Sequence, residues 1–195
     1  MLRLIGAVGY IWLVMVISSV AQPSNDTNSP VLDTSGQALQ RGVEYYILPS
    51  TNSSGGGLTL IDRNGSCPLY VGQEDQASSQ GFAVTFAPFF EQETIIRESR
   101  DFSVQFVAVT ICIQSTAWRL GETDPETLRR LIVTGGETGY FRIERNGEGY
   151  YLAWCPTDVC PICKFDCGSA GILVENGKRL LALDGPVLSV VFKRA

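Results

Sequence analysis

About twelve short segments rich in Val, Ile, Phe, Tyr or Leu run through the chain, and each is bounded by Gly, Asn, Asp or Pro. The first residue types favour strands and the second favour turns. In residues 102–106 the apolar side chains alternate with Ser103 and Gln105, as in a strand with one face in a core. Asn-Gly pairs at Asn146 and Asn176 are typical of tight hairpins. The sequence therefore predicts an all-β protein, closed as a barrel or packed as a sandwich.

A single helical stretch of one or two turns is predicted, at residues 124–130. The predicted strands lie at residues 45–48, 58–61, 69–72, 82–86, 102–106, 107–113, 131–133, 141–144, 150–154, 172–174, 180–183 and 187–192.

An internal echo favours one type of barrel. The segment beginning at Tyr45-Tyr46 is repeated 105 residues later at Tyr150-Tyr151, and residues 140–143 are a looser copy. That spacing corresponds to two units of fifty-odd residues, and three units of four strands make a β-trefoil. Aromatic strand starts are common in any β protein, so the echo alone leaves a sandwich open.

The first 21 residues have the composition of a cleavable signal peptide. Arg3 precedes a run that is almost wholly apolar, and the small residues Ser19 and Ala21 stand before the expected cut. A membrane anchor is the alternative, but the run is short for a span and no basic cluster follows it. We expect residues 1–21 to be a signal, 22–30 a flexible leader and 31–195 one domain. The protein is then secreted, extracellular or vacuolar, with no membrane contact after processing.

The chain contains no histidine, which excludes a Ser-His-Asp triad, a Cys-His dyad and a histidine-bound zinc site. A pair of carboxylates could still act on a glycosidic bond, but no acidic pair has an interpretable spacing. We therefore expect no enzymatic activity and no cofactor. The net charge is −5, and −6 without the first 21 residues (14 basic minus 20 acidic), so nucleic acid is a poor partner.

Six cysteines indicate three disulfides, because their number is even and the chain carries a secretory signal. Fifteen pairings are possible on paper. The alternative is a zinc knot, since Cys160 and Cys163 have metal-site spacing, but no second Cys-x-x-Cys pair accompanies them. We expect no metal. The six are Cys67, Cys112, Cys155, Cys160, Cys163 and Cys167.

Three sequons agree with passage through the secretory pathway, at Asn25, Asn52 and Asn64. Asn52 lies in a Ser- and Gly-rich stretch, residues 50–57, and is the preferred glycan site of the three.

A series of motifs covers most of the chain from residue 31 onward. In chain order they are Val31-Leu-Asp-Thr-Ser-Gly-Gln-Ala-Leu39, Tyr45-Tyr-Ile47, Cys67-Pro-Leu69, Ile96-Arg-Glu-Ser99, Phe102-Ser-Val-Gln-Phe106, Tyr140-Phe-Arg-Ile-Glu-Arg145, Tyr151-Leu-Ala-Trp-Cys-Pro156, Arg179-Leu-Leu181 and Pro186-Val-Leu-Ser-Val-Val-Phe192. Together they resemble the plant Kunitz family of soybean trypsin inhibitor type, in its miraculin-like branch. The resemblance implies a β-trefoil, and it implies the disulfides Cys67–Cys112, Cys155–Cys167 and Cys160–Cys163.

The resemblance also implies a function, a protease inhibitor that presents an exposed, substrate-like loop. In this alignment Phe90 fills the protease's primary pocket and Glu91 follows the bond that would be cut. An aromatic residue suits a chymotrypsin- or subtilisin-like serine endopeptidase better than trypsin, which requires Arg or Lys. Arg41 replaces the asparagine that supports this loop in the trypsin inhibitors, so we expect a softer loop. The predicted loop residues are Ala87, Pro88, Phe89, Phe90, Glu91 and Gln92.

Other interpretations remain open from the sequence. Adjacent aromatics such as Phe89 and Phe90 are often core residues. A miraculin-like defence, storage or taste-related protein without a protease target is the main alternative. Inhibition of a cysteine or aspartic protease, or of an amylase, is another. A trefoil lectin would carry Gln-x-Trp repeats, which this chain lacks. The resemblance makes an endopeptidase the expected partner. All six cysteines can pair internally, so the expected state is a monomer.

Overall fold

Thirteen strands run through residues 29–50 and 54–195, the part of the chain that the computed structural model describes. None of these residues forms a helix long and apolar enough to cross a membrane. The strands are β1 (Glu44–Pro49), β2 (Leu58–Ile61), β3 (Tyr70–Gln73), β4 (Val84–Pro88), β5 (Phe102–Phe106), β6 (Trp118–Thr123), β7 (Arg130–Thr134), β8 (Arg142–Asn146), β9 (Gly149–Trp154), β10 (Gly168–Ser169), β11 (Gly171–Glu175), β12 (Lys178–Ala182) and β13 (Val190–Arg194).

Six of the strands form a closed barrel. They are hydrogen-bonded in the order β8, β9, β13, β1, β4, β5. Phe102, at the start of β5, then exchanges two backbone hydrogen bonds with Phe141, which directly precedes β8. Because this pair joins the last strand to the first, the sheet has no free edge there.

Three hairpins form a cap on the barrel. Their strands are β2 and β3, β6 and β7, and β11 and β12, and the second strands of the three hairpins pair with one another. Tyr70 lies opposite Val133, and Ala182 lies opposite Leu131, while β12 also pairs with β3. These contacts enclose a second, smaller core.

The barrel and the cap divide into three units of four strands. The units are β1 to β4, β5 to β8, and β9 with β11 to β13, each giving two strands to the barrel and a hairpin to the cap. This is the β-trefoil, so the fold prediction is confirmed. Tyr45 and Tyr150 are the second residues of β1 and β9, and these are the first strands of two units. The looser copy at Tyr140 is not equivalent, because it leads into β8, the last strand of its unit.

Aromatic rings fill the centre of the barrel. Phe86 lies edge-on to Phe102 and to Phe192, with ring centroids 5.4 and 5.7 Å apart. Trp118 packs against Phe106 at 5.1 Å and is fully buried. Each of these rings removes a large apolar area from water, and edge-on pairs add a smaller favourable term. The alternation predicted for residues 102–106 is present, since Ser103 and Gln105 face away from this core.

The strand predicted at residues 107–113 is wrong. The chain leaves β5 at Phe106 and makes a loop, in which Val109, Ile111 and Ile113 are fully or almost fully exposed. These apolar side chains alternate along the segment, but they point to solvent and no strand pairs with it. Cys112 faces the other way and is buried.

The second strand of that unit is instead β6, which the sequence analysis missed along with the two-residue β10. Only the first residue of β6, Trp118, is buried, and the strand carries Gly121 and Glu122, so its composition is not typical of a strand. The helix predicted at residues 124–130 is also wrong. Asp124 accepts hydrogen bonds from Thr127 in a single turn, and Leu128 then adopts a φ of 59° that ends it.

The hairpins predicted from Asn-Gly are present. Gly147 connects β8 to β9 and Gly177 connects β11 to β12, with φ of 60° and 77°. Only a residue without a Cβ adopts this left-handed region at little cost, so the dipeptide reports the turn directly.

Three disulfides join Cys67 to Cys112, Cys155 to Cys167 and Cys160 to Cys163. These are the pairs that the resemblance implies. Cys160 and Cys163, the two with metal-site spacing, are bonded to each other.

Several predicted features lie outside the described residues: the signal at 1–21, most of the leader, and the sequons at Asn25 and Asn52. Asn64 is described and exposed beside a turn, so its side chain is accessible. Pro30, the last leader residue, bridges to Arg97, so the fold includes the end of that segment.

Removal of the long disulfide should destabilise the protein most. Cys67–Cys112 spans 45 residues, and Cys160–Cys163 spans 3. In the chain-entropy description, losing the long link through Cys67→Ala/Cys112→Ala lowers the free energy of unfolding by about 4 kcal/mol. The change Cys160→Ala/Cys163→Ala should cost less than about 2 kcal/mol. Urea unfolding of both variants measures the difference, and an equal loss in the two would contradict it.

An ionic cluster on the cap makes the free energy of unfolding depend on pH. Arg63 donates to Glu175 at 2.6 Å and to Asp124 at 2.8 Å. The hydrogen bond from Arg63 lowers the pKa of Glu175 below its ordinary value of 4.5. A carboxyl with a lowered folded pKa stabilises the fold above its ordinary pKa, and this contribution is lost as the pH falls through the folded pKa.

Glu175→Gln should therefore lower Tm at pH 7 and have a smaller effect at pH 3, where the wild-type carboxyl is protonated more fully. Thermal unfolding at the two pH values measures this. Glu126→Gln, an exposed carboxyl on the neighbouring turn, is the control and should change neither Tm. An equal Glu175→Gln effect at both pH values would show that the ion pair does not carry the dependence.

Candidate functional site

A braced turn projects between β4 and β5 at the place where the sequence analysis put the loop. Ala87 and Pro88 are not in the turn itself, because they end β4 and pair with Ser103 and Phe102. The projecting part is residues 89–93. Its first N–H, that of Phe89, donates to the Asp101 carbonyl at 2.8 Å.

The turn closes on a backbone hydrogen bond. The N–H of Glu93 donates to the Phe90 carbonyl at 3.0 Å. Glu91 and Gln92 occupy the tip and are exposed. The peptide bond that follows Phe90 therefore lies at the corner of the turn.

Arg41 supports this turn from the inside. Its Nε donates to the Glu93 carbonyl at 3.0 Å, and its Nη2 reaches the carbonyls of Pro88, Phe90 and Glu91 at 3.2, 3.0 and 3.2 Å. Arg41 is held in turn, since its own N–H donates to the Thr94 carbonyl at 2.8 Å. A planar guanidinium with five donors can satisfy several carbonyls at once.

The expectation of a softer loop at Arg41 is therefore wrong. That expectation equates the loss of an asparagine with the loss of support. The longer side chain instead contacts carbonyls on both sides of the Phe90–Glu91 bond. Hydrogen bonds from a charged donor are stronger than neutral ones, which favours a turn that is already ordered before binding.

The two aromatic rings of the turn are half-buried. Phe89 lies edge-on to Tyr140, with ring centroids 5.2 Å apart, and edge-on to Phe90 at 5.1 Å. The guanidinium of Arg100 lies over the Phe90 ring, 4.7 Å from its centroid. Phe89 is thus an anchor for the turn, whereas Phe90 lies between the anchor and solvent.

Arg100 and Asp101 link this turn to the loop that carries four of the cysteines. Arg100 donates to Asp158 at 3.0 Å and approaches Glu93 at 3.4 Å. The buried Asp101 carboxylate accepts the N–H groups of Asp158 and Val159 at 2.6 and 3.1 Å. Neither residue was among those predicted for the site. No local pattern marks them, because their partners lie about 57 positions away.

Fold and site together define a class of protein, the β-trefoils that present an internally braced turn at one end of the barrel. The model of the Kunitz family, described as trypsin and protease inhibitor, matches residues 31–194, and the chain belongs to this family. Family membership also confirms that the protein is not an enzyme.

Relatives in the same family match nearly the whole chain. Kunitz type trypsin inhibitor 111 of Medicago truncatula is 47% identical over 94% of this chain and 93% of its own length. Kunitz type trypsin inhibitor 104 of the same plant is 45% identical over 95% and 94%. The solved structure of the rice bifunctional alpha-amylase/subtilisin inhibitor is 36% identical, with a TM-score of 0.73 over 86% of this chain and 99% of that one.

The support from Arg41 can be tested on the loop itself. Arg41→Ala removes four hydrogen bonds to loop carbonyls, so the Glu93 N–H should exchange with solvent at least about tenfold faster. Amide hydrogen exchange followed by NMR measures this. Arg119→Ala, which removes a similar bond to the Gly135 carbonyl elsewhere, is the control and should leave Glu93 unchanged. Unchanged exchange in Arg41→Ala would mean that Arg41 does not order the turn.

Proposed function

We propose that this protein is a secreted inhibitor of a chymotrypsin- or subtilisin-like serine endopeptidase. It acts through residues Ala87 to Gln92, with Phe90 as the side chain for the primary pocket. Its expected partner at this site is an endopeptidase, and its expected state is a monomer. Three disulfides support a route through an oxidising compartment, which fits an extracellular or vacuolar location.

The observation that carries the proposal is the contact of Arg41 with four backbone carbonyls, three in the turn and that of Pro88 at its base. A loop that is ordered before binding loses little entropy when the protease closes on it. Fixing one backbone residue costs about 1–2 kcal/mol, so a five-residue turn ordered in advance avoids several kcal/mol at the moment of binding.

The side chain at Phe90 supports an aromatic-specific target. A trypsin pocket requires a cation, and this turn carries acidic groups at Glu91 and Glu93 instead. An apolar pocket has no such requirement. The rice structure named above is called an alpha-amylase/subtilisin inhibitor, which makes subtilisin a suitable enzyme to titrate.

The ring of Phe90 must leave Arg100 to enter a pocket. A cation–π contact at a partly exposed site contributes about 0.5–1 kcal/mol. Full burial of a Phe side chain is worth about 1.5–3 kcal/mol, of which a half-buried ring has gained part already. The ring therefore contributes to affinity only in a pocket that encloses it fully, where the added burial exceeds the loss of the contact with Arg100.

The inward orientation of the Phe90 carbonyl favours a second candidate function. A serine protease must polarise the carbonyl of the pocket residue, and this oxygen faces inward to Arg41 and the Glu93 N–H. A turn that keeps this oxygen inside would suit a miraculin-like defence, storage or taste-related protein without a protease target. Inhibition of a cysteine or aspartic protease, or of an amylase, would use other surfaces of the same fold.

Titration with chymotrypsin and subtilisin tests the proposal. We expect tight inhibition of at least one of them, weakened about 100-fold or more by Phe90→Ala because the pocket loses its side chain. Phe82→Ala is the matched control, since Phe82 is a partly exposed aromatic that precedes β4 at its other end. It should leave inhibition unchanged.

Two results would contradict the proposal. Inhibition that survives Phe90→Ala would place the binding site elsewhere. The absence of inhibition of both enzymes would favour the second candidate.

A further inference from the structure

We propose that residues 155–167 form a second substrate-like loop, with Lys164 as the side chain for the pocket of an endopeptidase that cleaves after Lys or Arg. This site is separate from the turn at Phe90 and takes a protease of different specificity. The neighbours of Lys164 are held in place, while the Lys164 side chain itself is exposed.

The two ends of the loop are tied together. Cys155 and Cys167 are disulfide-bonded, with Cα atoms 4.7 Å apart. The residues just outside this bond are also paired, because Gly168 in β10 lies opposite Trp154 in β9. The loop is therefore a closed ring mounted on two hydrogen-bonded strands.

The first half of the ring is fixed by the buried Asp101. Its carboxylate accepts the N–H groups of Asp158 and Val159, and Arg142 pairs with the same carboxylate. Arg142 also donates to the Thr157 hydroxyl at 2.6 Å. A carboxylate that accepts several N–H groups orders a loop as a cap orders a helix end.

The residues before Lys164 are held by the inner disulfide. Cys160 is bonded to Cys163, and the Cys163 N–H donates to the Cys160 carbonyl at 3.2 Å. The chain turns at Pro161 and Ile162 and then runs to β10 without a further turn. Lys164 thus lies outside the turn, on the segment that leads to β10.

The residues after Lys164 are held as well. Phe165 lies edge-on to Trp154, with ring centroids 5.5 Å apart. The next carbonyl, that of Asp166, accepts a hydrogen bond from Arg130, whose guanidinium also lies over the Trp154 ring. The Lys164–Phe165 bond is therefore flanked by the inner disulfide on one side and by packing on the barrel residue Trp154 on the other.

Lys164 itself is exposed, and no described residue gives its ammonium group a hydrogen bond or an ion pair. A free ammonium group on a long stem can reach a carboxylate at the base of a protease pocket. Little is lost on binding, because no existing contact of Lys164 has to break. Phe90 differs in this respect, since Arg100 covers its ring.

The ring also explains how attack at this bond would lead to inhibition. Acylation joins the Lys164 carbonyl carbon to the protease serine oxygen and breaks the bond to the Phe165 nitrogen. The Phe165 amine that is released takes up the proton that the serine hydroxyl loses. The disulfide Cys155–Cys167 and the packing on Trp154 keep that amine in place. It can then attack the ester and restore the peptide bond faster than water replaces it, because a tethered group has a high effective concentration.

Inhibition of trypsin by the secreted, oxidised protein tests the proposal. Lys164→Ala should weaken trypsin inhibition about 100-fold or more, because the pocket residue is lost. Lys164→Arg should retain it, since Arg meets the same carboxylate. Lys193→Ala, the same change on an exposed lysine of β13, is the matched control and should have no effect.

A Phe90→Ala variant separates this site from the one proposed above. It should keep full trypsin inhibition, whatever its effect on chymotrypsin and subtilisin. After long incubation at low trypsin concentration, a small fraction of the protein should be cut between Lys164 and Phe165. The cut protein should remain one molecule until its disulfides are reduced.

Three results would overturn the proposal. They are the absence of trypsin inhibition in the wild-type protein, inhibition that Lys164→Ala leaves unchanged, and rapid complete cleavage after Lys164 without inhibition. Each can be read independently of the chymotrypsin and subtilisin titrations.

Discussion

The barrel closes at one seam, between β5 and β8, and both candidate loops depend on it. At this seam Phe102 and Phe141 exchange backbone hydrogen bonds of 2.8 and 3.0 Å. Beside them the buried carboxylate of Asp101 pairs with Arg142. An unpaired buried carboxylate would be costly, so this pair and its N–H donors are retained together or lost together. The closure of the barrel and the placement of the loops are thus one arrangement.

Residues beside the seam hold both candidate loops, and the two loops expose different side chains. The carbonyl of Asp101 holds Phe89, and its carboxylate holds Asp158 and Val159. Arg100 touches both loops, through the Phe90 ring and through Asp158. The turn at Phe90 is ordered by an arginine under its carbonyls, whereas the ring at Lys164 is ordered mainly by disulfides. Two routes to the same end, low entropy loss on binding, therefore coexist at neighbouring positions.

Local signals in the sequence predicted most of the strands, and two of the strand errors share one cause. Residues 107–113 have the alternation of a strand, but their apolar face meets solvent, since no strand lies beside them. Strand β6 has a weak pattern and forms because β7 pairs with it. In both cases the missing information was whether a partner strand lies alongside. The helix predicted at residues 124–130 fails for a local reason, because Leu128 adopts a φ of 59° after a single turn.

The sequence by itself determined the all-β class, the Asn-Gly hairpins and the absence of histidine chemistry, because composition and turn residues act locally. Its motifs also located the loop at Phe90 and implied the three disulfides. The tertiary structure decided which contacts support the loops and which of their side chains are exposed. It showed that Arg41 supports a turn that it was expected to weaken, and that Phe90 is partly covered while Lys164 is free. The contacts of Arg41 join residues 47 to 52 positions apart, which no local pattern records.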